Sequence, residues 1–159
     1  MKKILVITTG GTIAMKKDRE TGGLMPAVSG KDLAAAVPGL AHYADLDVLE
    51  FSNKPSGWMT AADMFELSKL IDRLADTDQA DGFVITHGTD TLEETAFFLE
   101  AVLKTEKPVC VTGAMRGASA LSADGPANIL AAVRTAASDD SIGKGVTVCL
   151  GDRIMQPGM

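Results

Sequence analysis

Cysteine, histidine, surplus positive charge and long apolar runs are all scarce in this 159-residue chain, and each shortage excludes something. The two cysteines, Cys110 and Cys149, lack CxxC spacing, and each lies inside an apolar run. They read as buried free thiols in a reducing cytoplasm rather than as a metal or redox pair. The two histidines, His42 and His87, with no clustered cysteines, leave too few ligands at workable spacing, so no metal is expected. Lys and Arg number 15 against 21 Asp and Glu, a net charge of −6. Neutralising phosphates needs a basic face, so this balance argues against a nucleic-acid partner. No apolar run approaches the roughly 18 residues that span a bilayer, so no membrane partner is expected. Ile4–Ile7 behind Lys2-Lys3 is too short for a signal-peptide core of about 7–15 residues. With 46% hydrophobic residues and 4% aromatic, the length suits one domain with a real core.

What is present is a recurring alternation. Lys3–Thr8 (KILVIT), Gly82–Thr86 (GFVIT), Pro108–Thr112 (PVCVT) and Gly145–Leu150 (GVTVCL) are near-continuous apolar, β-branched runs. That pattern suits parallel strands covered on both faces. Asp45–Phe51 is a fifth strand. Between them lie helical patterns: a capping box at Ser29–Asp32 opens Lys31–Val37, which Pro38-Gly39 stops. A second box at Thr60–Asp63 opens a longer helix with Met64, Leu67, Leu70, Ile71 and Leu74 on one face. Thr91 starts a third helix packing Phe98, Leu99, Val102 and Leu103. Pro126 suits the first turn of a fourth, running to about Ser138 with Ile129, Leu130 and Val133 inward. The fold class is therefore α/β, a doubly wound and mainly parallel sheet flanked by helices and joined by right-handed crossovers. The polar segment Met15–Val28, with Gly22-Gly23, is long for a connection and reads as a mobile lid or a solvated loop.

Ligands of open parallel sheets bind outside the carboxyl ends of the strands. Two such ends carry one local pattern, Thr9-Gly10-Gly11-Thr12 after the first strand and Thr86-His87-Gly88-Thr89, then Asp90, after the Gly82 strand. Glycine permits a sharp turn and a close ligand approach, and each loop offers a hydroxyl at its tip. If the two strands are neighbours, Thr12 and Thr89 face one pocket. A hydroxyl nucleophile needs a base or proton relay, and the turn amides suit a developing oxyanion. Acyl transfer on a small amine-bearing substrate fits these groups. Phosphate cradling is weaker, because neither loop has a Walker lysine or a full GxGxxG. His87, between a buried strand and a tight turn, suits a hydrogen-bonded structural role better than a general base.

Ile7–Ala14 (ITTGGTIA), Gly82–Thr95 (GFVITHGTDTLEET) and the pair Gly113–Arg116 and Ser122–Pro126 (GAMR, SADGP) resemble signature segments of the bacterial-type L-asparaginase family, in order and from end to end. The resemblance implies an amidohydrolase that converts L-asparagine to L-aspartate and ammonia, with L-glutamine as a side substrate and no cofactor. It makes Thr12 the nucleophile or its close partner, and Thr89 with Asp90 the other half of the centre. It gives the substrate's α-ammonium to Asp90, its α-carboxylate to Ser56 in Ser56-Gly57-Trp58-Met59-Thr60, and the scissile amide to the backbone of Ala114. Gly11, Gly57 and Gly88 complete the expected substrate contacts.

Three departures bear on this. Gly57 replaces the usual Gln or Glu, no tyrosine lies near Leu24, and the family lysine beyond the strand ending at Leu150 has no counterpart in Asp152–Met159. Lost proton-transfer assistance costs roughly 10²–10⁴-fold in rate. The expectation is thus an N-terminal α/β domain over residues 1–159, without the C-terminal domain, whose isolated chain is catalytically crippled. The full-length parent is expected to be a homo-oligomer, and the chain to expose apolar surface. The alternatives are a glutaminase or amidotransferase subunit releasing ammonia from glutamine, and a non-catalytic ligand-binding fragment.

Overall fold

The computed structural model describes residues 1–10, 13, 15–17, 20–22, 24–26 and 29–158, with the backbone alone at 15–17 and 24–26. The apolar runs form β1 (Lys3–Thr8), β4 (Asp45–Glu50), β5 (Gly82–Thr86), β6 (Val109–Thr112) and β7 (Val146–Leu150). Pro108 has no N–H to give the ladder and stays outside β6, while its carbonyl accepts from Phe83 N at 2.8 Å. Within Met15–Val28, β2 (Met15–Lys17) and β3 (Leu24–Pro26) pair antiparallel. A last short strand, β8 (Arg153–Met155), joins the main sheet antiparallel to β7.

The sheet order is β4-β1-β5-β6-β7-β8, and all pairings but the last are parallel. From β1 the chain steps to one side to reach β4, then returns past β1 to β5. The winding therefore reverses between β1 and β5, and ligands of doubly wound sheets bind at such a reversal. The neighbouring of β1 and β5 required for one shared pocket is present, with Thr8 opposite Thr86 and Thr86 opposite Thr112.

Among the described residues, four α-helices cover the two faces. α1 (Gly30–Ala36) and α4 (Gly125–Ala136) bury Leu33, Ile129, Ala132 and Val133 against Ile4, Val6, Val84 and Cys110. On the opposite face α2 (Ala61–Ala75) and α3 (Leu92–Val102) bury Leu67, Ile71, Ala96 and Leu99 against Ile7, Phe83, Ile85 and Val111. Alternate strand residues thus point to opposite layers, which is why these strands read as continuous apolar runs.

One topological expectation fails. β5 to β6 and β6 to β7 both step in the same direction along the sheet, yet α3 lies on one face and α4 on the other. The β6–α4–β7 crossover therefore has the opposite hand to the other helical crossovers, against the strong right-handed preference. α3 already packs on both β6 and β7, so the opposite face is the one left for α4 to cover. This arrangement sets Gly125, at the start of α4, directly against the Ile13 carbonyl in the segment after β1.

Smaller corrections concern helix faces and ends. α1 stops at Ala36, with Val37 extended before Pro38. α4 ends at Ala136 rather than near Ser138. On α3 the inward residues are Leu92, Thr95, Ala96 and Leu99, while Phe98 and Val102 are half-buried. The small side chains at 95 and 96 let this helix lie close to the sheet.

Candidate functional site

Thr12 and Gly11 lie outside the described residues, so the site is built here from its other members. The turn after β1 begins at Thr9, whose hydroxyl donates to the Thr86 carbonyl at 2.8 Å and ties the ends of β1 and β5 together. Ser52 Oγ donates to the Thr9 carbonyl at 2.6 Å, drawing in the loop after β4. Gly10 follows with φ +143°, and a Cβ there would fall 2.3 Å from the Lys54 carbonyl oxygen. Conformation and space both demand glycine at that position.

The loop after β4 delivers Ser56 to the turn after β5. Ser56 is buried, and its Oγ accepts the Asp90 N–H at 3.1 Å. Thr91, instead of capping α3, turns its hydroxyl to donate to the Ser56 carbonyl at 2.7 Å. A Cβ on Gly88 would lie 2.6 Å from Ser56 Oγ and 2.8 Å from Ser56 Cβ, so this close approach also depends on glycine. Gly57 differs: its nearest neighbour would be Asp90 Oδ2 at 3.6 Å, an ordinary contact, so a side chain has room there. Among the described residues, no hydrogen bond or ion pair engages the Asp90 carboxylate, which is exposed. Ser56 and Asp90 are thus held side by side with the acid left open.

Thr89 is half-buried and lines a cavity of about 430 Å³ with Leu92, Phe97, Met115, Leu150 and Met155. A Cβ on Gly113 would lie 2.6 Å from the His87 carbonyl oxygen and 3.5 Å from the Thr89 methyl, so the loop after β6, and with it Ala114, passes close to the turn after β5. Asp124 accepts the Met115 and Arg116 N–H groups, both at 2.9 Å. Burial raises the Asp124 pKa, but these backbone donors and Asn128 outweigh it and hold the carboxyl below its ordinary value.

His87 has no spare proton-transfer capacity. Its Nδ1–H donates to the Gly88 carbonyl at 2.7 Å, and its Nε2 accepts from Thr95 Oγ1 at 2.8 Å. Burial holds its pKa below the ordinary value, against the pull of the Gly88 carbonyl. The imidazole is a buried strut under the turn, as its surroundings in the sequence suggest. The Thr86 hydroxyl, at the end of β5, is the one buried side-chain polar atom without a partner among the described residues. No cluster of His, Cys, Asp or Glu able to hold a metal occurs among those residues, and none of their helices is long and apolar enough to cross a membrane.

The structure therefore brings Ser56, Gly57, Gly88, Thr89, Asp90 and Ala114 to one end of the sheet, where the winding reverses. A family model described as "Asparaginase, N-terminal" matches residues 3–158. The chain belongs to the asparaginase family. It is 46% identical over 156 residues to L-asparaginase 2-3 of Saccharomyces cerevisiae, covering 97% of this chain and 43% of the yeast protein. It is 40% identical over 157 residues to L-asparaginase 2 of Bacillus subtilis, covering 97% and 42% of the two chains. A glutaminase-asparaginase of Pseudomonas aeruginosa is 40% identical over 161 residues, with 98% and 44% covered. The chain thus spans less than half the length of these curated relatives.

In this member of the asparaginase family, motif reading did not reach the contacts that Thr91, Asn128 and Ser52 make at this end of the sheet. Thr91 lies in the quoted GFVITHGTDTLEET segment, but its partner Ser56 is 35 residues away and only the fold reveals it. Asn128 carried a fainter signal, an amide beside the inward Ile129 of a helix whose interior disfavours asparagine.

Proposed function

We propose that this protein takes part in the hydrolysis of L-asparagine to L-aspartate and ammonia, through a threonine nucleophile at the carboxyl edge of the sheet. The observation that carries the reading is the open Asp90 carboxylate beside buried Ser56, in a turn that shares the β1/β5 reversal with a second threonine-bearing loop. A carboxylate next to a hydroxyl suits an α-amino acid: Asp90 receives the α-ammonium and the Ser56 hydroxyl donates to the α-carboxylate. The side-chain amide then points towards Thr89, Ala114 and the loop bearing Thr12. Attack of a threonine hydroxyl on the amide carbon forms an oxyanion, which turn amides stabilise. Collapse breaks the C–N bond as the proton given up by the threonine hydroxyl passes to the leaving nitrogen, releasing ammonia, and water then cleaves the resulting ester to L-aspartate and restores the hydroxyl.

Gly11, Gly57 and Gly88 are the further substrate contacts of this reading. The unfilled space at Gly57 beside Asp90 supports L-glutamine, one methylene longer, as a second substrate. The whole chain is read as one N-terminal-type α/β domain. The buried free thiols fit the cytoplasm, and exposed Phe97, Met115, Ile154 and Met155 support self-association.

Calorimetric titration with L-asparagine tests the assignment. Asp90→Ala and Ser56→Ala are each expected to weaken binding about 10-fold or more, as for a hydrogen bond to a charged group. Unchanged affinity in Asp90→Ala contradicts the assignment.

A further inference from the structure

Asn128 sits in the first turns of α4 and is 4% exposed. Its Nδ2 donates to the Gly113 carbonyl at 2.8 Å and to Asp124 Oδ2 at 3.2 Å, while its Oδ1 accepts the Gly151 N–H at 3.3 Å. The reverse orientation of the amide would set oxygen against two acceptors, so this pattern fixes it. One buried side chain thereby joins the loop after β6, the start of α4 and the turn after β7.

The consequence falls on Ala114. Its preceding carbonyl, Gly113 O, is held by Asn128, and its following amide, Met115 N, is held by Asp124, itself held by Asn128. Among the described residues no hydrogen bond uses the N–H or carbonyl of Ala114 itself. A half-buried peptide clamped on both sides, with its own polar groups unspent, is arranged to meet a ligand. A Cβ on Gly113 would lie 2.6 Å from the His87 carbonyl oxygen and 3.5 Å from the Thr89 methyl, so the clamped loop runs close beside the turn that carries Thr89.

We infer that Asn128 is a positioning residue of this site, holding the Ala114 peptide towards the substrate's side-chain amide and locking it to the Gly151 turn. The inference rests on the amino-acid-binding reading above. Asn128 touches no reacting atom; it acts through Gly113 and Asp124.

The test uses the ¹⁵N-labelled protein titrated with L-aspartate. In the wild type the Asn128 side-chain amide protons should exchange slowly and shift in step with the Ala114, Thr89 and Asp90 amides. Asn128→Asp keeps an acceptor for Gly151 but loses the donor to Gly113. It should leave the Gly151 resonance of the free protein in place, abolish the Ala114 response and retain those of Ser56 and Asp90. Its dissociation constant should rise roughly three- to tenfold, the range of one lost neutral hydrogen bond. Asn128→Ala should also move the Gly151 resonance. A merely structural asparagine would change stability without separating the Ala114 response from that of Asp90. Folded variants that bind like the wild type with Ala114 still responding overturn the inference alone. If neither variant folds, fast-exchanging and unmoved Asn128 protons in the wild type overturn it. A wild type that never responds to L-aspartate removes the amino-acid reading and the inference with it.

Discussion

At the scale of single residues, the site depends on how closely Ser56 is pressed to the turn after β5. Three contacts do this: the Asp90 amide on Ser56 Oγ, the Thr91 hydroxyl on the Ser56 carbonyl, and the bare α-carbon of Gly88. Gly88→Ala sets a methyl inside the Ser56 side chain. Overpacking of this kind costs about 1–3 kcal/mol. Urea unfolding should show that loss, and a midpoint equal to wild type would mean the turn has slack. His87 gives a pH signature. Its folded pKa lies below the ordinary 6.5, so the unfolded chain takes up the proton first. Its contribution is complete above pH ~6.5 and declines as the pH falls below that value. Urea midpoints should drop between pH 7.5 and 5, and His87→Gln should reduce the drop. An identical slope in the variant assigns it to other groups. Thr89, Asp90 and Ser56 could be proposed from the sequence because each lies in a recognisable motif. Thr91 and Asn128 could not be given roles, because their partners are distant in sequence and become neighbours only when loops from different strands meet.

Secondary-structure elements fix where those loops leave the sheet. The Thr60–Asp63 box on α2 is reciprocal, and Asp63 also pairs with Lys54, whose carbonyl covers Gly10. The cap of this helix is therefore linked to the turn after β1. Thr60→Ala should cost about 1 kcal/mol, read as a lower thermal midpoint; no change would leave the cap without weight. The hydrogen bond from Lys54, then that from Thr60 N–H, lowers the Asp63 pKa from 3.8 to about 2. Because the folded value is the lower one, this contribution is present above pH 3.8 and is lost as the pH falls towards 2. Acid titration of Lys54→Met should show a shallower loss in that window. The strands were legible because burial on both faces writes an unbroken apolar run. The pairing of β2 with β3 was not, since three-residue strands are too short to write such a run. The inward face of α3 was read only in part, because Thr95 and Ala96, buried there beside Leu92 and Leu99, are too small to mark an apolar stripe.

Over the whole molecule, strand order carries the functional argument, because it places the two similar loops at the winding reversal. The sequence implied the alternation of strands and helices, but the opposite hand of the β6–α4–β7 crossover was hidden. That hand is settled by which face α3 leaves uncovered, a property of the assembled sheet. The same layer buries Cys110 and Cys149 with their sulfurs 3.1 Å apart. The hydrogen-bonded neighbouring sulfur and burial push the Cys110 thiol well up, while the bond from Cys110 lowers Cys149 to about 7; both sulfurs are shut away from solvent, so neither cysteine should react with Ellman's reagent until urea unfolds the chain. Rapid native labelling would mean the α4 face opens readily. The edge strand β8 exposes Ile154 and Met155, so sedimentation should show concentration-dependent association, and an ideal monomer would contradict it. The most direct measurement is ammonia release from L-asparagine by the purified protein beside its Thr12→Ala variant. The account predicts slow release that disappears with the Thr12 hydroxyl. Equal release by both proteins, or none from the wild type saturated with L-asparagine, would contradict it.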